Sequence, residues 1–406
     1  MSKRIIPLFT LLIVASMLLA ACGGGASQAP EACAENPDES VCAVFEPGET
    51  VKIGYAGPMT GDYSAFGIDI SQGASIALDN AEPIEGFSYE LLVEDTQGSG
   101  EGGATVANKY ASNPDVVAIA GHTFSGSTEA AIPIYNDARI PMLSPSATME
   151  TLTQGDQDVF NRIPFTDDIQ GANAAAYLHD VLGLSSIAVM HDGDSYGQGI
   201  AETVAAEFEG MGGTVVATEA ITPGETDYSP VLTSIAASAP EAIYFGGYYS
   251  EAAVLAGNME VAGLGDAILF SDDGTFGETF LELAGDAGEG VYAGASAEPD
   301  PTAEREAFDA AYQEKFGEAP GVLSTFTWHG HDIAAALISA IEEVAILGDD
   351  GNLYIPREAL VDAVRSLTNF PGLTGPITCN DVGECNTQGP TFFVVEGGAW
   401  VVAPGQ

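Results

Sequence analysis

Short apolar runs rich in β-branched residues alternate along the chain with stretches whose apolar residues recur at helical spacing. The first series places strands at 51–56, 89–94, 116–120 and 140–143, with helices at 71–80, 104–112 and from Thr128 onward. A second series follows Asn161. It predicts helices at 170–182, 199–211, 228–237 and 252–262, and strands at 186–190, 214–218, 242–245 and 267–270. Strand and helix in regular alternation predict parallel sheets covered by helices on both faces. The unit occurs twice at domain size, so the expected fold is α/β, two doubly wound parallel-sheet lobes with a hinge. Further helices are expected at 303–316, 331–345 and 357–367, then a hairpin-like end pairing 375–378 with 391–395.

Doubly wound sheets bind ligands beyond the carboxyl ends of their strands, and between two lobes that region is a cleft. The run 121–128 (GHTFSGST) opens a helix with small hydroxyl residues, whose free N–H groups and dipole suit a carboxylate or phosphate. Ordinary helix capping uses the same residues. The run 144–148 (SPSAT) offers hydroxyls and a carbonyl on a rigid turn. In the second half, 191–199, 246–249 and 271–274 follow strands and carry tyrosines and aspartates. Aromatics there could wall an apolar side chain, and a carboxylate could pair with an ammonium.

The ends and the cysteines set the compartment. Lys3 and Arg4 precede an apolar run from Ile5 to Leu19, too short for a comfortable membrane span, which ends in Leu-Ala-Ala-Cys22. This has the form of a bacterial lipobox. It predicts a signal peptide at 1–21, lipid on Cys22, a flexible tether over 22–48, and a protein anchored by lipid to the outer face of the bacterial cell membrane. Removing Cys22 from the five cysteines leaves Cys33–Cys42 and Cys379–Cys385 as the economical disulfides. The formal net charge of −49 argues against nucleic acid and anionic lipid as partners. With 46% hydrophobic residues the chain can still bury large cores.

Several chemical patterns match literally. Residues 193–197 fit the Gly-x-Ser-x-Gly elbow around Ser195, but only the distant His329 or His331 could serve as its base. Residues 98–103 fit a dinucleotide fingerprint, better read as a flexible turn. His329 and His331 lack a third metal ligand, and 192–194 and 349–351 lack a complete calcium loop. No enzyme, cofactor or metal site is expected.

The segments VKIGYAGPMTGDYSAFG, AGHTFSGSTEAA, IPMLSPSATMETLT, VMHDGDSYGQG, IYFGGYYSE and GLTGPIT, in this order, resemble the leucine/isoleucine/valine-binding branch of the type I periplasmic binding proteins. The resemblance runs from about Glu49 to Val402. It implies a Venus-flytrap receptor of an ABC importer, with a permease as partner and an amino acid, branched-chain or otherwise apolar, as ligand. Lobe one would comprise 49–165 plus 297–388, and lobe two 166–296 plus 389–406. Ser125 and Thr148 would hold the ligand carboxylate; the Ser146 carbonyl, Thr148 and Asp273 would meet its ammonium, with Ala147 in the same turn. Phe66, Tyr196, Tyr248 and Phe326 fall at aromatic positions. Asp273 is a methylene shorter than the family's usual glutamate and has Asp272 beside it, so either could reach the amine. The same fold reading an amide, urea, a short carboxylate or an aromatic acid is the alternative.

Overall fold

Apolar strands repeated along a chain need a sheet with both faces covered, and here they form two such sheets. The computed structural model describes Cys33 and residues 41–385 and 388–406. The expected signal peptide, Cys22 and the glycine-rich run after it lie outside the described residues. The first sheet has five parallel strands in the spatial order Ser88–Asp95, Thr50–Gly57, Val116–Gly121, Met142–Ser144 and Phe160–Arg162. The second has Thr214–Ala220, Ser186–His191, Ala242–Gly246, Ile268–Ser271 and Tyr292–Ala295 in parallel, then Thr391–Glu396 and Ala399–Val402 antiparallel at the edge. In each parallel array the earliest strand lies between the second and the third, which makes a topological switch point at that gap. Central strands are buried throughout, all six residues of Val116–Gly121 and all five of Ala242–Gly246. This explains their unbroken apolar sequence.

Two glycine contacts bring elements closer than side chains would allow. The helices Ser64–Asn80 and Thr327–Val344 cross so tightly that a Cβ on Gly73 would lie 2.2 Å from the Thr327 carbonyl oxygen, and one on Gly330 2.3 Å from that of Ile70. Phe66 and Phe326, near the starts of these helices, both line one cavity. In the other lobe a Cβ on Gly197 would meet the Gly246 carbonyl oxygen at 2.5 Å, and one on Gly246 the Gly197 oxygen at 2.2 Å. That pins the start of the helix Ser195–Gly210 against the end of Ala242–Gly246. Gly197 of the apparent nucleophile elbow therefore serves packing.

Both predicted disulfides form. The predicted terminal hairpin does not. Gly375–Ile377 pairs with Phe370–Gly372, whereas Thr391–Glu396 joins the second sheet beside Tyr292–Ala295. The expected tether ends sooner than residue 48, because Cys42–Phe45 is a strand on Leu353–Pro356. Residues 98–103 are not a flexible turn. Ser99 caps the helix Gly100–Ala111 by accepting from the Gly102 N–H, and Gly103 packs against Ser127. Among the described residues no helix is long and apolar enough to cross a membrane.

Candidate functional site

Strands that end at two facing switch points deliver their loops to one cleft. From the first sheet come Phe66, on the helix after Thr50–Gly57, and Phe124 and Ser125, after Val116–Gly121. From the second come Tyr196, after Ser186–His191, and Tyr248, after Ala242–Gly246. With Ser146, Asp273, Gly274 and Phe326 they line one narrow cavity. Seven of the nine predicted ligand residues are thus together: Phe66, Ser125, Ser146, Tyr196, Tyr248, Asp273 and Phe326.

Ala147 and Thr148 stand behind that wall. The Ala147 N–H donates to Ser144 Oγ at 3.0 Å and its carbonyl accepts from Arg162, so both its backbone groups are committed to the turn. Arg162 is fully buried and also donates to the Met149 carbonyl and, through two nitrogens, to the Glu384 carboxylate at 2.7 Å. Glu384 adjoins the Cys379–Cys385 disulfide, so this late loop braces the 144–148 turn from outside the cleft. The Thr148 carbonyl accepts from the Asp167 N–H, and its hydroxyl is buried with no partner among the described residues.

The polar walls are of two kinds. Ser125 begins the fourteen-residue helix Ser125–Ala138, and its Oγ accepts from the Met149 N–H at 3.2 Å. This end of the cavity has the positive pole of a helix dipole. Across it Asp273 Oδ1 accepts from Tyr196 OH at 2.9 Å and from the Gln170 amide, while Gln170 Oε1 accepts from the Asp273 N–H. Oδ2 lies outside these bonds. Asp272 is spent otherwise: its two oxygens accept from the Gly274 and Gly247 N–H groups and hold the strand ends together. Sequence reasoning left the choice between these two acids open; the geometry directs Asp273 to the cavity. Sequence reasoning also missed Phe124, one residue before Ser125 in a quoted motif.

The lobes are in contact. Phe124 stacks on Tyr248 at 4.4 Å, and Phe66 on Tyr249 at 5.5 Å. Tyr249 OH donates to the Asp62 carbonyl at 2.6 Å, and Tyr63 OH to Glu251 at 3.1 Å. Ser195 Oγ donates to Glu129 at 3.1 Å instead of meeting an imidazole. His329 lies elsewhere, among the segments that pass between the sheets.

Burial raises the pKa of many carboxyls here. Asp69, accepting from Tyr312, Ser324 and Thr327, is pushed up to about 6 by desolvation, and Asp192 to about 7. Desolvation also raises Asp167, Asp194, Glu251, Asp272 and Asp273. A group raised in the folded state binds protons there first, so its stabilisation is complete below the unfolded pKa and lost as pH rises through the folded one. His122 and His329, lowered by burial to about 3 and about 4, act in the opposite sense below about 6.5. Seven carboxyls outweigh two imidazoles. The ligand-free protein should therefore melt at a higher temperature at about pH 5 than at about pH 8, even in 1 M salt, which screens the surface charge. Calorimetry checks this; a Tm that falls toward pH 5 would contradict it.

Comparison with known proteins agrees with this architecture. The sequence profile of a family described as periplasmic binding protein matches residues 50–398. The leucine-, isoleucine-, valine-, threonine-, and alanine-binding protein of Pseudomonas aeruginosa is 31% identical over 83% of this chain and 87% of its own. Among solved structures, the leucine binding protein LivK of Thermotoga maritima superposes with a TM-score of 0.79 at 27% identity, covering 87% of this chain and 98% of that one. LivJ of Streptococcus pneumoniae, a branched-chain amino acid transporter substrate binding protein in complex with isoleucine, gives 0.75 at 26% identity over 86% and 97%. The alternating strands, the paired switch points and this likeness over nearly the whole described chain make it a member of the periplasmic binding protein family.

Proposed function

We propose that the chain is the extracytoplasmic receptor of an ABC importer, held to the membrane by lipid on Cys22, and that it closes two lobes on an apolar α-amino acid. The observation that carries this reading is the zwitterionic complement in the cavity: a helix N-terminus at Ser125 faces the buried Asp273 carboxylate, with aromatic rings between. Ser125 and Ser146 would take the ligand's polar end from lobe one. Asp273 would pair with its ammonium, and Phe66, Phe124, Tyr196, Tyr248 and Phe326 would enclose its side chain. Residues 49–165 with 297–388, extended by the strand Cys42–Phe45, would move against 166–296 with 389–406. A ligand touching both would favour the closed state by its differential affinity. The relatives' names point to branched-chain amino acids and to a membrane permease as the next partner. The chain would bind without turnover, since Ser195 Oγ donates to Glu129.

A thermal-shift screen of the twenty amino acids with small amides, urea and aromatic acids tests the reading. A ligand at a hundred times its Kd stabilises the native state by about 2.7 kcal/mol. Leucine, isoleucine or valine should give the largest shift. No response from any amino acid would defeat the proposal in favour of an amine-free solute.

A further inference from the structure

We propose that the edge along which the lobes close is a proton- and salt-sensitive clamp: carboxylates of one lobe meet carboxylates of the other, so closure takes up protons and holds ligand more tightly in acid. The proposal rests on the two-lobe closure described above and involves none of the residues that line the cavity. From the first lobe come Asp62, Tyr63 and, on the helix Ser125–Ala138, Gly126 and Glu129. From the second come Asp192, Asp194 and Glu251. Glu251 Oε2 accepts from Tyr63 OH across the gap at 3.1 Å, and Oε1 accepts from the Gly224 N–H at 3.0 Å. Asp194 caps the helix Ser195–Gly210, and its Oδ1 stands 2.9 Å from where a Cβ on Gly126 would be. Its neighbour Ser195 donates to Glu129 at 3.1 Å. Asp192 Oδ1 accepts from the Asp194 N–H at 2.9 Å.

Burial and mutual repulsion both favour the protonated acids. Desolvation is the larger: it pushes Asp192 up to about 7 and raises Asp194 and Glu251, outweighing the hydrogen bonds that favour their ionised forms. The charge of Glu129 then acts on Asp194, that of Asp62 on Glu251, and those of Asp194 and Glu251 on Asp192, all in the same sense. No lysine or arginine occurs in 166–296 or 389–406, so the second lobe has no permanent cation to set against them. His191 lies next to Asp192, with Nδ1 accepting from the Gly193 N–H at 3.1 Å. Tyr228, Tyr248 and Tyr249 also face the cluster, and burial holds their hydroxyls in the protonated form. Glu225, beside Gly224, is exposed. Among the described residues no three of these carboxylates are grouped to hold a metal ion, so the proton is the ion that closure gathers. Opening the lobes returns the edge to water. The raised pKa values thus belong to the closed state, which gains as pH falls from about 7 and has its full gain below the ordinary carboxylate value of about 4.

Isothermal titration of L-leucine, in pairs of buffers with different heats of ionisation, reads proton uptake and affinity together. The parent is compared with the double variant Asp194→Asn, Glu251→Gln, whose amides keep the helix cap and an acceptor for Tyr63. An uptake of about half a proton changes Kd about threefold per pH unit. From about pH 8 to about pH 5.5 the parent's Kd should therefore fall about threefold or more relative to the variant's. The variant should take up fewer protons and, at about pH 8 in about 20 mM salt, bind more tightly; about 0.5 M salt should narrow that gap. A proton released as the ammonium meets Asp273 has the opposite sign and is common to both proteins, so it cancels in the comparison. Glu129→Gln, a single exposed change in the first lobe, should act in the same direction and stands in for a double variant that fails to fold. Proton uptake and pH dependence equal in the parent and these variants would overturn the proposal. So would weaker binding by the double variant at about pH 8, which would make Tyr63–Glu251 a latch that needs its charge. If the thermal-shift screen finds another solute, that solute is the probe. If it finds none, small-angle scattering of the ligand-free chain carries the test: the lobes should draw together in acid, and scattering independent of pH would overturn the clamp. A chain that binds no amino acid defeats the ligand reading and leaves this one to its own result.

Discussion

Asp273→Asn should bind L-leucine at least about tenfold more weakly than the parent, a loss of about 1.4 kcal/mol or more. The substitution is a narrow one. An asparagine oxygen in the place of Oδ1 can still accept from Tyr196 OH and the Gln170 amide, so the supports of the loop persist. What disappears is the charge at Oδ2, on the cavity side. A charge-assisted hydrogen bond shielded from water is worth about 1.5–3 kcal/mol, which places the expected loss between about tenfold and about 150-fold. Because Asp273 is buried and desolvation raises its pKa, neutralising it should not lower the melting temperature of the empty protein. Titration calorimetry with melting curves separates the two effects. Unchanged leucine affinity would remove Asp273 from the site.

The largest expected effect on stability is at the crossing of Ser64–Asn80 and Thr327–Val344. Gly330→Ala puts a methyl where the Ile70 carbonyl oxygen stands 2.3 Å away, and a backbone group cannot rotate aside. The helices must separate. Overpacking of this kind costs about 1–3 kcal/mol and sometimes more, against a gain of about 1 kcal/mol in helix propensity. We expect a net loss of up to about 2 kcal/mol and weaker ligand binding, since Phe66 and Phe326 lie near this crossing. Gly257→Ala is the matched control. Gly257 is an exposed helical glycine with no atom within 4 Å of its would-be Cβ, so alanine there should add up to about 1 kcal/mol. Denaturant melts of the two variants should move in opposite directions; two equal shifts would refute the close-packing account.

Helix starts show where reading by pattern stops. Apolar spacing puts them at 71, 128, 199, 252 and 331, whereas the helices begin at Ser64, Ser125, Ser195, Tyr249 and Thr327. The first turn of each reaches toward the cleft instead of the sheet, so its residues are small, polar or aromatic and the core-facing period has not begun. Those turns carry Phe66, Ser125, Tyr196 and Tyr249, and so function hides the helix start. The terminal hairpin was misread for a different cause. Thr391–Glu396 looks like a local partner for Gly375–Ile377, but its register is set by a strand about a hundred residues earlier, Tyr292–Ala295. Period-two patterning says that a segment is a strand and not which strand it joins.

By itself the sequence determined the fold class, the two lobes and both disulfides, which follow from local periodicity and cysteine spacing. The seven residues that share one cavity were legible through the resemblance of its ordered motifs. Only the tertiary structure decided that Asp273, not Asp272, faces the cavity, that Ala147 turns its backbone away, and that Asp167 is buried unpaired beside Thr148. Adjacent aspartates have the same chemistry in a sequence. They part only when the folded backbone offers N–H groups to one and empty space to the other.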